Sequence, residues 1–537
     1  SAIEAAAKPG ARRSAAAVTG FRPKQLDINH ITSHEALNAL LDEFVLDEGL
    51  DPVLAETHKF TMCLPAAYYG PGSYTNWVNV GMALENTADV LFLSWVKLSA
   101  QEGCRMSLRD SRGHFDWSEV QAMHEKWQGF AAHSLTRRSI MFWARNDAKE
   151  AYDRVYSETV DFYVERTVDP RRGKHATDWD VASVLLQMFK HEFVCASPSR
   201  NIWFQFRKHR WHELERDGAL RKKLSEDVHA RYLAKAMESL QSLTGLSSEG
   251  DEKGQYDSLR QRQLRLLEVV QMLSNSVPKD HILKEARELF YDGDFLRKLD
   301  EDPHLMGFTN GVIDIPNRTF RPGLPNDYIS RCTGIEYIPP EKRCKNAEAE
   351  VTAFIEQLFP QEELRRYMWD HLASVLTGTN DNQTFNVYVG TGRNGKSKLV
   401  DLMTKCLGDY KGVVPITLVT RKRGNIGDAS PEIAALKGVR YAVMQEPTKG
   451  AVINEGVLKE VTGGDPLQGR QLFRDTVTFN GQFTLVVCTN TLFDINSNDD
   501  GTWRRFRVCD FLSKFLIDPH GAESERMFPS KDYPYKY

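Results

Sequence analysis

Residues 384–389, TFNVYV, run into residues 390–397, GTGRNGKS, and then into residues 398–410, KLVDLMTKCLGDY. The first piece has the apolar, β-branched and aromatic content of a buried strand, and the last spaces its apolar residues as a helix does. Between them stands G-x4-G-K-[ST], which in a strand-loop-helix context is a phosphate-binding loop. Gly390, Gly392 and Gly395 let backbone N–H groups close around phosphate oxygens, and the helix that follows aims the positive end of its dipole at the same place. Thr391, Arg393 and Asn394 complete the loop, Lys396 is placed to reach β and γ phosphates, and Ser397 to ligate Mg²⁺. The expected ligands are therefore ATP and Mg²⁺.

A hydrolase built on such a loop needs an acidic strand end for metal and water, a polar group facing the γ-phosphate, and often an arginine from a neighbour. These follow in order. The strand RYAVM (440–444) ends in Gln445-Glu446, the strand FTLVVC (483–488) ends in Thr489-Asn490, and the loop DINSNDDGTWRRF (494–506) comes next. Glu446 is the expected base that polarises the attacking water, with Asn490 orienting that water or touching the γ-phosphate. Gln445 and Glu446 join Ser397 as candidate metal ligands. A lone double arginine is usually a surface pair, but Arg504 or Arg505 at this position suits an arginine finger acting across a subunit interface.

Outward from this core the chain reads as multidomain α+β, with helical N-terminal modules followed by an α/β phosphate-loop ATPase domain. Residues 1–27 are an Ala-rich linker or frayed terminus, and the initial serine suggests a processed or excised chain. Residues 28–151 form a small helical module whose aromatics suit a core. Residues 152–340 form a second domain with a hairpin at 202–214, an exposed loop at 247–254, and short strands over 307–339. Residues 345–530 form the ATPase domain.

With 537 residues, about three domains are expected at roughly 150 residues each. Hydrophobic residues at 41% and charged residues at 26% exclude disordered and fibrous classes. The 8 cysteines are scattered without a CxxC pair or zinc spacing, as in an intracellular chain of reduced thiols. No apolar run is long enough to span a membrane, and no signal peptide pattern opens the chain. A net charge of -4 puts any nucleic-acid contact on local basic clusters.

The order GTGRNGKS, MQEP, LKEVTGGDPLQGR, CTN and DDGTWRRF resembles superfamily 3 helicases, and most closely the helicase-primase proteins of large DNA viruses such as poxviruses and their giant-virus relatives. Phage and plasmid replication helicases share it. The segment 64–99 is similar to the helical module joining primase to helicase in such proteins, and 307–330 to the end of the domain before the ATPase. The resemblance covers roughly 55 to 515. It implies an ATP-driven homo-hexameric ring tracking on single-stranded DNA at a fork, beside a primase domain or partner and polymerase machinery, in a viral replication compartment. Lys459 and Thr462 to Asp465 match the motif between acidic strand and sensor strand, and 466–474 should carry the channel hairpin. That makes Lys459, Arg470 and Arg474 DNA-contact candidates. Where relatives often have two acids, the first position here is Gln445, so the metal would rest more on Ser397 and water. No primase motif with paired carboxylates precedes the helical module.

Two further basic clusters are ordinarily solvated turns: Arg207 to Arg210 and Arg421 to Gly424. Arg207, Lys208 and Arg210, on a wing-like tip flanked by Trp203 and Trp211, would also suit fork DNA, as would Arg421 and Lys422 in the ATPase loop. The rival functions are a ring ATPase that remodels or packages without unwinding, and a non-catalytic DNA-binding scaffold.

Overall fold

A computed structural model describes residues 26–47, 50–130, 135–169, 175–244, 253–420, 430–444, 452–470, 476–492, 495 and 499–537. Gln445, Glu446, Arg421, Lys422 and Arg474 lie outside these residues. The chain divides into two compact units, the first reaching Val155 and the second starting at Tyr156, and the division falls within the helix Lys149–Val168.

The first unit is helical, and its tryptophans make its core. Trp77 and Trp95 stack with ring centroids 4.5 Å apart, and Trp95 lies 5.8 Å from Trp127. Each buried indole N–H finds an acceptor: Trp77 donates to Ser99 Oγ, Trp95 to the Trp77 carbonyl, and Trp127 to Asp89. Gly81 permits this packing, since a Cβ there would stand 2.6 Å from the Trp95 ring.

In the second unit, strands β1 (Phe193–Ser197), β2 (Ile202–Arg207) and β3 (Arg210–Leu214) form an antiparallel sheet. The expected 202–214 hairpin is present, turning through Lys208 and His209, both at positive φ (47° and 68°). Trp203 and Trp211 do not flank the tip as a DNA grip. They are 0% and 1% exposed, turned inward by the strand alternation that sends alternate residues to the core. Strands β4 (Leu305–Phe308), β5 (Gly311–Asp314) and β6 (Thr319–Arg321) make a second antiparallel sheet.

The α/β part carries β7 (Phe385–Val389), β8 (Lys411–Val414), β9 (Tyr441–Met444), β12 (Thr484–Thr489) and β13 (Phe506–Asp510) in the order β13-β7-β12-β9-β8. Every neighbouring pair is parallel. Both faces are covered, so these strands read as near-continuous apolar runs. Tyr388, Tyr441 and Val486 pack to one side, and Phe385, Val387, Ala442, Met444 and Val487 to the other. A separate hairpin, β10 (Pro466–Arg470) and β11 (Thr476–Asn480), follows the helix Glu455–Thr462, as the 466–474 reading expects of this stretch.

Basic side chains capping backbone carbonyls tie the part before residue 332 to the α/β part. Arg331 donates to the carbonyls of Lys437, Asp409 and Ala435, Arg440 to those of Leu376 and Leu305, and Lys437 to that of Leu296. Arg440 is 1% exposed. A buried cation is tolerated here because it occupies carbonyl groups that would otherwise lack donors.

Candidate phosphate-binding site

Sheet order brings the predicted residues together. β12 lies between β7 and β9, and its last residue, Thr489, pairs with Val389 at the end of β7. Asn490 therefore emerges beside Gly390. This is the carboxyl end of a parallel sheet, where α/β folds bind ligands. A cleft of about 790 Å³ opens here, lined by Gly392 to Lys398 and by Met444, Thr489 and Asn490 among others.

The loop needs its glycines for different reasons. Gly395, at φ 81°, turns the chain into the helix Lys396–Leu407, and a Cβ there would sit 2.4 Å from Leu358. Gly390, at φ 156°, has the Asn394 amide against it, where a Cβ would be 2.2 Å away. Arg393 takes a left-handed conformation at φ 65° without being glycine. Lys396, only 8% exposed, donates to the Gly390 carbonyl and lies 3.5 Å from Asn490 Oδ1.

Asn394 is 3% exposed, and its Nδ2 is a buried donor without a hydrogen-bond partner among the described residues. A buried amide donor, a glycine cradle, a helix N-terminus and the Lys396 ammonium suit one kind of ligand, a polyphosphate. Ser397 is exposed in the first turn of that helix, where its hydroxyl could hold Mg²⁺. Among the described residues no three His, Cys, Asp or Glu side chains converge as a metal group. A single hydroxyl ligand fits a cation carried largely by phosphate and water.

Sequence reasoning missed Lys514. It is 1% exposed and donates to Thr391 Oγ1 at 2.5 Å, the Thr391 carbonyl at 3.2 Å and the Gly392 carbonyl at 2.9 Å. All three of its donors point into the loop. The rings of Phe528 and Tyr533 lie 4.9 and 5.2 Å from its Nζ. Desolvation, and then the nearby Lys396 charge, lowers its pKa. Phe515 N donates to the Arg393 carbonyl at 2.8 Å, so residues 514–515 brace the loop from outside. A basic residue just past the last strand was the only local hint.

The two arginines are not equivalent. Arg505 is 7% exposed and is bound within its own chain, to Thr462 Oγ1 at 3.0 Å, to Gln383 Oε1 at 3.0 Å and to the Gly501 carbonyl. Arg504 is exposed and donates to the same Gln383 oxygen at 2.5 Å.

The DNA-contact candidates are placed unevenly. Lys459 pairs with Asp499 at 2.5 Å, and that bond, with those from Thr502, holds the Asp499 carboxyl down at about 2. Arg470 is exposed on β10, with its backbone tied to Ser430. Arg210 pairs with Asp409 at 3.0 Å, and the ring of His209 accepts from Gly323 N, which fastens the near side of that turn. Arg207 and Lys208 stay exposed.

Residues 182–360 match the family described as D5 N terminal like. A protein named "Putative helicase" in Acanthamoeba polyphaga mimivirus is 31% identical over 84% of this chain and 45% of its own length. A like-named protein of Frog virus 3 is 27% identical over 66% of this chain and 46% of its own length. One named "Putative primase" in African swine fever virus is 25% identical over 90% of this chain and 50% of its own length. The chain thus spans about half the length of the curated relatives it matches. Among solved structures, the C-terminal region of NrS-1 aligns over 34% of this chain and 42% of its own at 17% identity and a TM-score of 0.25, which is too low to carry an argument. By these matches, with a D5 N terminal like segment ahead of a parallel α/β part, this chain is a homologue of proteins named putative helicase and putative primase in nucleocytoplasmic large DNA viruses.

Proposed function

We propose that this chain is the ATP-driven motor of a viral DNA helicase, working as a homo-hexameric ring on single-stranded DNA at a replication fork. The observation that carries the reading is the meeting, 3.5 Å apart, of Lys396 at the start of the helix after β7 and Asn490 just past the adjacent parallel strand β12. The relatives named as helicases support the choice of work done with the hydrolysis. On this reading Lys396 holds the β and γ phosphates, and the Asn394 amide adds a donor to the cradle. Asn490 orients the attacking water, and Glu446, on the segment after β9, takes its proton. Mg²⁺ on the Ser397 hydroxyl would neutralise phosphate charge when bound.

Arg504 is the residue assigned to the neighbouring subunit's site, because a finger must leave its own surface and Arg505 is committed inside. Arg470, on the β10–β11 hairpin, grips the DNA backbone without regard to sequence. A primase domain or partner and a polymerase complete the proposed assembly, in a viral replication compartment of the host cell.

Unwinding of a forked DNA, followed with ATP for the unsubstituted chain and for Lys396→Ala, tests this. Strand separation that needs ATP and vanishes in Lys396→Ala is the expected result. Hydrolysis without strand separation would replace the helicase by a remodelling or packaging ATPase, and DNA binding without hydrolysis would leave a scaffold.

A further inference from the structure

Gln383 lies in the turn before β7 at φ 51°, a conformation that side-chain-bearing residues seldom adopt without compensation. Its side chain supplies the compensation. Oε1 accepts from Arg504 at 2.5 Å and from Arg505 at 3.0 Å, and Nε2 donates to the Gly463 carbonyl at 2.8 Å. Only one amide orientation satisfies these three partners, since the guanidinium groups cannot accept and the carbonyl cannot donate. One neutral oxygen thus holds two like charges side by side without neutralising either.

Gly463 directly follows the helix Glu455–Thr462, and β10 starts at Pro466. Two more contacts join that helix to the arginine segment: Lys459 with Asp499 at 2.5 Å, and Thr502 Oγ1 donating to Glu455 at 3.4 Å. Residue 463 must be glycine for the junction to close, because a Cβ there would meet the Lys459 carbonyl at 2.6 Å.

We infer that Gln383 is a positioning residue that aims Arg504 at the neighbouring subunit and links that arginine to the helix feeding the hairpin. This rests on the assignment of Arg504 and the hairpin under the proposed function. A neutral acceptor is the chemistry the task needs. It fixes direction while leaving the full positive charge for a phosphoryl group, whereas a carboxylate would hold the arginine more tightly and cancel its field. The contact also gives the hairpin a lever on hydrolysis: a displacement of Gly463 is felt by the amide that carries Arg504.

The test compares Gln383→Ala and Gln383→Glu with the unsubstituted full chain, measuring steady-state ATP hydrolysis on forked DNA, nucleotide and DNA affinity, and thermal unfolding. Expected is a kcat at least tenfold lower in both variants, with KM for ATP and DNA affinity within about twofold, and with the Gln383→Glu loss partly relieved by added salt. Mixing Gln383→Ala subunits with Lys396→Ala subunits should restore hydrolysis per intact loop, because the latter contribute a well-aimed arginine. Unchanged kcat in both variants, or no recovery on mixing, would overturn the inference while leaving the helicase reading intact. Absence of hydrolysis in the unsubstituted chain would instead overturn the helicase reading and this inference with it.

Discussion

Lys514 shows how much of the proposed nucleotide site is held from outside its motif. Its three donors fix the Thr391 and Gly392 backbone, so Lys514→Met should let the loop sample shapes that bind phosphate poorly. Loss of one charged hydrogen bond's worth of organisation, about 1.5 kcal/mol, corresponds to roughly a tenfold higher Kd for nucleotide. Lys514→Arg should recover part of it, and titration with a fluorescent nucleotide analogue checks both. Lys396 and Asn490 were legible in the sequence because the loop motif and the strand ends are spelled locally. Lys514 and Gln383 were not. Their partners lie 123 and 80 residues away, and no local period records such a contact.

At the level of elements, the parallel strands were readable as apolar runs, and the β10–β11 hairpin was expected for the residues after Asp465. What the run of residues could not convey was side-chain commitment. Lys459 and Arg210 look available until Asp499 and Asp409 are found beside them. Trp203 and Trp211 look like DNA-stacking rings until the sheet turns them inward. On the proposed function, Arg470→Ala should weaken single-stranded DNA binding uniformly across sequences and reduce the slope of log affinity against log salt by about one contact. An unaltered slope in a fluorescence anisotropy series would remove Arg470 from the DNA path.

Among the described residues of the whole molecule, each unit keeps a histidine neutral in its interior. His58, 3.0 Å from Ser94 Oγ in the first unit, is pulled down to about 4 by burial and then by Lys97 and Lys59. His371, 2.8 Å from the Tyr388 hydroxyl in the second, is pulled down to about 4 by burial. A folded pKa below the unfolded value means the unfolded chain binds more protons, so stability is full above about 6.5 and is lost as pH falls toward 4. Between pH 7 and pH 5 each site should cost its unit on the order of 2 kcal/mol. Thermal unfolding should show falling midpoints over that range, and His371→Gln should flatten the fall for the transition of the second unit alone.

The bracing of the phosphate loop by the segment around Lys514 has a consequence for inheritance. Phe528 and Tyr533 lie outside the loop motif and against each other, 5.4 Å between ring centroids, and they flank the ammonium that holds Thr391 and Gly392. On the proposed function, drift at those two aromatics would be filtered by nucleotide turnover, so replacements there should arise in concert with changes at position 391 rather than freely.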